Sequence, residues 1–209
     1  MPKPQEILLI LESIANRYLL IAIGCHLFVA AIVILLLLNR KLPNRWLCLL
    51  TGLPVISVSV LNFLEGNPFN GIVFSGIMAL LIISCLKAGK DVAKPASTLS
   101  LILGIIMVLY GFFYPHFLIS GSWTIYLYAA PTGLIPCPTL ALLVGFAMIY
   151  NGFYSKVWSI TLIVAGIFYG IFGIFRLKVY LDVVLLAGTL LFLLQVILSG
   201  NFKKSRNNI

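Results

Sequence analysis

The sequence predicts an all-α protein, a polytopic bundle of transmembrane helices that forms a single domain over all 209 residues. Three observations favour this class. Hydrophobic residues make up 62% of the chain and charged residues only 9%, and the mean hydropathy is +1.14. The apolar residues form runs of about 20, which is the length of helix that crosses a bilayer. The basic residues lie in the short gaps between these runs, as they do in cytoplasmic loops.

Residues 4–16 form the first predicted element, an amphipathic helix. At about 100° per residue, polar side chains such as Glu6, Glu12 and Asn16 fall on one arc, with the aliphatic side chains largely opposite. Such a helix can lie in the membrane interface, or it can extend the first span outward. The same polar residues argue against a cleavable signal peptide, so we expect the chain to stay whole in the membrane.

Seven apolar segments follow, and each is predicted to be a transmembrane helix. The second contains Pro54 among small polar residues, so we expect it to be bent and packed inside the bundle. The predicted spans are residues 18–38, 46–64, 69–86, 97–117, 134–151, 157–175 and 181–199.

The basic residues predict the orientation of the chain. If the loop at residues 39–45 is cytoplasmic, that side of the membrane collects 10 of the 14 Lys and Arg residues. The positive-inside bias then places the N-terminus outside, and the C-terminus with its basic tail at residues 200–209 in the cytoplasm, here of a bacterial inner membrane. Arg176 and Lys178 fall outside against this bias, which leaves six spans as an alternative. The formal charge of +9 is expected to face the lipid bilayer and not nucleic acid.

A proline-rich stretch interrupts the series of spans. Residues 118–133 are predicted to be an external or re-entrant connection, with aromatic side chains suited to the interface. The connection leads into Pro136, Cys137, Pro138 and Thr139. Two prolines in three residues remove two backbone donors, so we expect a break here that exposes carbonyl groups and the thiol to a cavity.

The candidate metal ligands gather on the predicted outer side of the membrane. They are Cys137, His116, His26 and Cys25. Thiolate and imidazole suit a soft metal such as Cu(I) or Zn²⁺. Alternatively, each histidine can be satisfied by a backbone carbonyl, and each cysteine can be an apolar filler. All four cysteines of the chain stand singly, so no disulfide is predicted.

Two carboxylates also belong to the candidate site, because polar groups at membrane depth are candidates for function. Asp182 opens the last span, and Glu65 lies in the turn after the second span. Asp182 can instead cap a helix or pair with Lys178 or Arg176, and Glu65 can be a solvated turn residue.

Gly166 and Gly170 form a GxxxG pair, which favours close helix packing. The packing can be within one protomer or between the protomers of a homo-oligomer.

Three stretches of the chain resemble a known family. They are NFLEGNPFNGIVFSGIMALL, PTGLIPCPT and KVWSITLIVAGIFYGIFGIFRLKVYLDVVLLAGTLL. The family is one of bacterial polytopic membrane proteins known only as a domain of unknown function. Its hallmarks match Asn67 and Pro68 after the second span, the Pro-Cys-Pro-Thr sequence at 136–139, and Asp182. The resemblance implies a membrane bundle and supplies no activity.

Two classes of function therefore stay open. The first is a carrier or binding protein for a small solute or metal ion, with an outward-facing cavity beside the Pro-Cys-Pro break. The second is a non-catalytic membrane accessory or assembly protein. No HExxH sequence or Ser/His/Asp arrangement indicates an enzyme, and no cofactor is indicated.

Overall fold

The computed structural model describes residues 3–38, 42–88, 91–119 and 122–199. Secondary structure in these ranges is helical apart from an isolated β-bridge between Pro43 and Val92. The predicted all-α class is confirmed. The basic tail predicted at residues 200–209 lies outside the described residues.

The α-helices follow one another with short connections. They are α1 (Pro4–Arg17), α2 (Leu19–Leu37), α3 (Asn44–Gly52), α4 (Pro54–Leu64), α5 (Pro68–Lys87), α6 (Thr98–Phe112), α7 (Tyr126–Ala129), α8 (Pro136–Ile149), α9 (Lys156–Ile171) and α10 (Asp182–Leu198). Short 3₁₀ turns at Trp123–Ile125 and Asn151–Tyr154 precede α7 and α9, and a π-helical turn at Phe172–Leu177 continues α9.

Four helical segments are long and apolar enough to cross a membrane: α2, the continuous pair α3 and α4, α5, and α9 with its π-helical turn. Three shorter apolar helices, α6, α8 and α10, occupy the remaining positions at which the sequence predicts spans. The chain therefore has the helices of a membrane protein.

The second predicted span is bent, as the sequence indicates. Helix α3 ends at Gly52 and α4 begins at Pro54, because proline has no N–H for the preceding turn but suits the first turn of a new helix. The N–H of Leu53 donates to the Leu50 carbonyl at 3.3 Å across the junction.

The predicted span at residues 97–117 is too long at its C-terminal end. Helix α6 stops at Phe112. Pro115 explains the difference, because a proline disfavours helical geometry at the residue before it, here Tyr114.

Helix α8 lies at the centre of the bundle, and every residue from Pro136 to Ile149 is buried. Its neighbour α6 approaches to backbone contact at a pair of glycines. A methyl group built on Gly104 would lie 2.7 Å from the carbonyl oxygen of Gly145, and one built on Gly145 would lie 2.7 Å from that of Gly104. Side chains at either position would force the two helices apart.

The Gly166 and Gly170 pair packs within the protomer. A methyl group on Gly170 would lie 2.9 Å from Cβ of Leu186, and one on Gly166 would meet Thr189, so both glycines face α10 of the same chain. Of the two predicted uses of this pair, the structure shows the intramolecular one.

The two ends of the bundle differ in character. Helix α1, residues 113–119 and 122–135, and Leu177–Leu181 meet at one end, here called the α1 end, around an apolar cluster that includes Ile14, Leu134 and Ile135. The opposite end, here called the basic end, is formed by residues 42–45, 91–97 and 150–156. Helix α1 is separated from α2 at Tyr18 and buries Leu11, Ile14 and Ala15 against the bundle.

A disulfide joins Cys48 of α3 to Cys85 of α5 near the basic end, with a Cα–Cα distance of 5.6 Å. The spacing of the four single cysteines did not indicate this disulfide. The two cysteines are 37 residues apart, but they occupy equivalent depths on neighbouring antiparallel helices. The sequence carried that signal, since both residues fall at the same predicted side of the membrane.

Candidate functional site

Asp182 is the buried carboxylate of the described chain, with 1% of its surface exposed. The hydroxyl of Tyr114 donates to its Oδ1 at 2.8 Å, and the thiol of Cys137 is a second hydrogen-bond partner. Tyr114 is fully buried, and its hydroxyl is the donor in this hydrogen bond. Asp182 and Cys137, both predicted site residues, are thus brought together.

The π-helical turn at Phe172–Leu177 shapes the space for this carboxylate. The turn ends at Lys178, which has a left-handed backbone conformation with φ 61°. The chain then reverses and begins α10 at Asp182. Any side chain at Gly173 would collide with Oδ2 of Asp182, so glycine is required where the turn faces the carboxylate.

A second set of polar groups lies beside the carboxylate. The hydroxyl of Tyr169 donates to Oδ1 of Asn70 at 2.9 Å, and the amide of Asn70 donates to Oδ1 of Asn62 at 3.1 Å. The amide of Asn62 donates in turn to the Val58 carbonyl at 2.8 Å. These hydrogen bonds connect α4, α5 and α9 through their buried polar atoms, as burial demands.

A small cavity of about 20 Å³ separates the two polar sets. Its polar lining comes from Asp182, Cys137, Asn70 and Tyr169. That volume accommodates about one water molecule, and polar lining groups are what such a water needs. The space beside Pro136 is therefore water-sized, and the outward-facing cavity for a solute stays a prediction.

Helix α1 covers this cavity at the α1 end of the bundle. Ile7 and Leu11 of α1 line the cavity together with Phe117. Two groups of polar contacts hold α1 in place. In the first group, the carboxylate of Glu65 accepts hydrogen bonds from Arg17 at 3.0 Å and from the Tyr18 hydroxyl at 2.8 Å.

The second group of contacts is made by Asn16 and joins α1 to the segment after α6. The side-chain amide of Asn16 donates to the Phe117 carbonyl at 2.8 Å, and its oxygen accepts from the Ile119 N–H at 2.9 Å. Glu65, a predicted site residue, does not line the cavity. It anchors the covering helix, with a side chain only 12% exposed.

The predicted break at Pro136-Cys137-Pro138 is wrong. Helix α8 begins at Pro136, and the first-turn N–H groups that two prolines remove have no partner within a helix in any case. Thr139 accepts a hydrogen bond from the Gly133 N–H at 2.8 Å and donates to the Ile135 carbonyl at 2.7 Å. Pro138 and Thr139 thus shape the start of α8, and only Pro136 and Cys137 of the motif reach the cavity.

The four predicted metal ligands do not meet. His26 Nε2 lies 2.7 Å from the Phe112 carbonyl and Nδ1 lies 3.1 Å from that of Ala22, so backbone carbonyls, and no other predicted ligand, surround this ring. Within the described ranges, no three His, Cys, Asp or Glu side chains are close enough to hold a metal ion. The predicted metal site is therefore wrong. Residues at equal depth in the membrane can still face different neighbours around the bundle.

The other predicted ligands have separate surroundings. Cys25 lies 3.9 Å from the Ser57 hydroxyl, and Cys137 is at Asp182. His116 is half-buried in a surface cleft with Glu12 and Tyr126. Burial lowers the pKa of His116, and the nearby Glu12 opposes that shift.

The alternative in which Asp182 pairs with a basic residue does not hold either. Among the described residues, the ion pair within 4 Å is the one between Arg17 and Glu65. Asp182 occupies the first turn of α10, but its hydrogen-bonding partners are neutral side chains. The carboxylate has hydroxyl and thiol donors and no cation beside it.

Four residues of the site were not predicted from the sequence: Tyr114, Asn62, Asn70 and Tyr169. Asn62 and Asn70 carried a signal, because an amide inside an apolar span must find a partner. The two tyrosines carried none, since tyrosine is common at helix ends near an interface.

Comparisons with known proteins give no relative for this chain. No family model, curated protein or solved structure matches it. The resemblance of the Pro-Cys-Pro-Thr sequence to a family of unknown function therefore stays a prediction.

The geometry of the Asp182 site allows a proton to bind. The carboxyl group of Asp182 can carry or release one proton, and Tyr114 can donate to it in both forms. A neutral form avoids the large penalty of burying an unpaired charge. A charged form retains two hydrogen-bond donors, which offset part of that penalty.

Proposed function

We propose that this chain is a proton-coupled carrier of a small solute in the bacterial inner membrane, with Asp182 as the proton-binding group. It crosses the membrane seven times, with its N-terminus outside and its C-terminus in the cytoplasm. The observation that carries the proposal is the Asp182 carboxylate, buried beside a water-sized cavity without a basic partner in the described chain.

The order of the helices supports the seven crossings. The apolar helices α2, α3 with α4, α5, α6, α8, α9 and α10 alternate in direction, since successive connections lie at opposite ends of the bundle. Lys87, Lys94 and Lys156 all lie near the basic end, which fits the cytoplasmic side.

The position of Asp182 supports proton coupling. Ionisable residues inside membrane proteins are expensive and commonly mark proton relays. An isolated buried carboxylate raises the free energy of the protein by several kcal/mol unless it is neutralised. Protonation supplies that neutralisation, and a single water in the cavity can deliver the proton.

The cavity must enlarge for a solute to bind, and α1 is the part that covers it. Movement of α1 away from Ile135 and Leu177 would open the cavity toward the α1 end, which is outside in the proposed orientation. Protonation of Asp182 and opening of α1 are then two steps of one cycle.

Proton binding can be tested without knowing the solute. In purified protein, the infrared band of a protonated carboxyl group should be present in the wild type and absent from Asp182→Asn. A matched control is Asp91→Asn, which changes an exposed carboxylate at the basic end and should keep the band. The comparison is made above about pH 5, where exposed carboxyl groups are ionised, and a wild type that lacks the band throughout that range would contradict proton binding at Asp182.

Proton movement is the second test. Protein in liposomes that contain a pH-sensitive dye is given an inward gradient of each of a panel of small solutes, because a coupled carrier moves protons together with its solute. A carried solute should acidify the interior, and Asp182→Asn should abolish this flux. Asp91→Asn should carry protons as the wild type does. A flux that requires sodium ions and not a pH change would contradict the choice of ion.

A non-catalytic accessory or assembly protein is the second candidate function. The observation that favours it is the backbone contact of α6 and α8 at Gly104 and Gly145, which leaves no room for those helices to slide. Folded wild-type protein that gives no proton flux with any solute of the panel would support this alternative.

A further inference from the structure

A long apolar groove runs along one side of the bundle, far from Asp182. Helices α2 and α6 form its walls, and α8 forms its floor. Its volume is about 540 Å³, within the range of pockets that enclose small molecules. The lining includes Ala30 and Ile34 from α2, Ile105 and Leu109 from α6, and Phe146 and Ile149 from the floor.

The groove lies beside the one face of α2 that packs against the bundle, where Val29 and Ile32 are buried. Near the α1 end, His26 of α2 bonds the Phe112 carbonyl of α6 at 2.7 Å. Beyond the other end of α2, the Ala93 N–H donates to the Leu42 carbonyl at 3.1 Å. These two contacts frame the opening, so it is built into the fold and does not depend on a ligand to separate the helices.

The groove is open along its length to the apolar surface of the bundle. Ile34 on one wall is 54% exposed and Leu109 on the other is 50% exposed, whereas Phe146 on the floor is 1% exposed. An occupant must therefore be long, apolar and able to enter sideways from the bilayer. A lipid acyl chain has these properties.

The basic end of the groove offers polar and charged groups. Tyr150 lines the groove and is 8% exposed, and its hydroxyl has no hydrogen-bond partner among the residues that the structure describes. Lys94 lies between Ala93 and Pro95, both of which line the groove, and it is exposed. Asp91 is the acidic residue in the same segment and faces solvent.

We propose that this groove is a binding site for one anionic phospholipid. An acyl chain lies between α2 and α6, and the phosphate lies beside Lys94, where a basic residue attracts it. The Tyr150 hydroxyl donates to an ester oxygen of the glycerol. This inference is independent of the function proposed for Asp182.

The test measures lipid retained by the full-length protein. Protein is reconstituted with equal amounts of phosphatidylglycerol and phosphatidylcholine, extracted in mild detergent, and weighed by native mass spectrometry. We expect one retained phosphatidylglycerol per chain. Ala30→Trp fills the groove and should abolish retention. Ala31→Trp is the matched control, because Ala31 is the next residue of the same helix, is exposed and does not line the groove.

Two milder variants test the headgroup end. Lys94→Gln should lower the preference for phosphatidylglycerol about fivefold, the effect of about one basic residue at an anionic surface. Lys178→Gln, an equally exposed change at the α1 end, should leave the preference unchanged. Tyr150→Phe should shorten the lifetime of the bound lipid.

Several results would overturn the proposal. Equal retention in Ala30→Trp and Ala31→Trp would show that the lipid binds elsewhere. Equal retention of the two phospholipids would remove the role of Lys94, and retention of a free fatty acid would identify a different ligand. If Ala30→Trp fails to fold, Lys94→Gln still decides the matter, because it alters an exposed side chain and leaves the packing intact.

Discussion

Replacing Gly104 with alanine places a methyl group between α6 and α8, where the structure leaves no room for one. The new carbon would lie 2.6 Å from Cγ1 of Ile149 and 2.7 Å from the carbonyl oxygen of Gly145. Ile149 can shift its side chain, but the carbonyl belongs to the backbone of a fully buried helix. The two helices must therefore separate.

The magnitude follows from two opposing effects. Overpacking a tight interior costs about 1–3 kcal/mol, whereas alanine favours a helix over glycine by about 1 kcal/mol. Gly76 in α5 provides the matched comparison, because a methyl group there meets nothing within 4 Å. Both variants gain the helix propensity of alanine over glycine. Their free energies of unfolding should therefore differ by the overpacking cost alone, about 1–3 kcal/mol.

The assay is reversible unfolding of both variants in the same mixed micelles. Gly76→Ala should be slightly more stable than the wild type, and Gly104→Ala should be less stable than Gly76→Ala. A second substitution, Ile149→Ala, removes one of the two clashes and should restore part of the loss in the Gly104→Ala background, as neighbouring sites do not add independently. Equal stability of the two single variants would refute the close contact between α6 and α8.

Three further predictions follow from other parts of the structure. The pKa of His116 lies below its ordinary 6.5, so near that pH the unfolded chain takes up a proton that the folded chain does not. The free energy of unfolding should therefore fall as the pH drops below 6.5. His116→Gln should flatten this dependence when unfolding is measured at several pH values. Glu65→Gln removes the partner of Arg17 and should speed amide hydrogen exchange in residues 4–17 while lowering stability by no more than about 1 kcal/mol; unchanged exchange would contradict the role of Glu65 as an anchor. The Cys48–Cys85 disulfide lies near the basic end, whereas cytoplasmic thiols are kept reduced, so the proposed orientation requires this pair to be reduced in growing cells and to oxidise only after extraction. Alkylation of intact cells should then label both thiols, and a disulfide that persists in cells would contradict the proposed orientation.

The positions of the helices were predictable from the sequence because apolar runs of about 20 residues have one common explanation. The errors lie at prolines. Pro115 shortens α6, whereas Pro136 and Pro138 begin α8 and do not break it. Proline can end one helix or begin another, and the sequence alone did not tell which role each proline takes.

The contacts of the helices were much less predictable. Helices α2 and α8 are both apolar on all sides, and their sequences look alike. Yet α8 is wholly buried, whereas only 22% of α2 is buried. A helix that faces lipid and a helix inside the bundle have the same composition, since both surroundings are apolar. The direction in which Cys137 or His26 points therefore could not be derived.

The candidate site was predictable in part for the same reason. The depth of Asp182 and Cys137 follows from their positions along the spans, so their presence at one level was expected. Their contact depends on how α8 and α10 are rotated, which the sequence does not specify. Tyr114 reaches Asp182 only because α6 ends early at Phe112, and a longer α6 would have carried that hydroxyl elsewhere.

The helices that surround Asp182 limit the routes by which a proton or solute could reach it. On the side of α6 and α8, a route would have to separate helices whose backbones touch at Gly104 and Gly145. On the side of α1, the barrier consists of Ile7 and Leu11, on a helix fastened by exposed and half-exposed polar contacts. Such contacts are weak in water, and local opening begins where stability is lowest. Helix α1 is therefore the element whose movement would admit a proton or a solute, and the carboxylate would be reached from the α1 end.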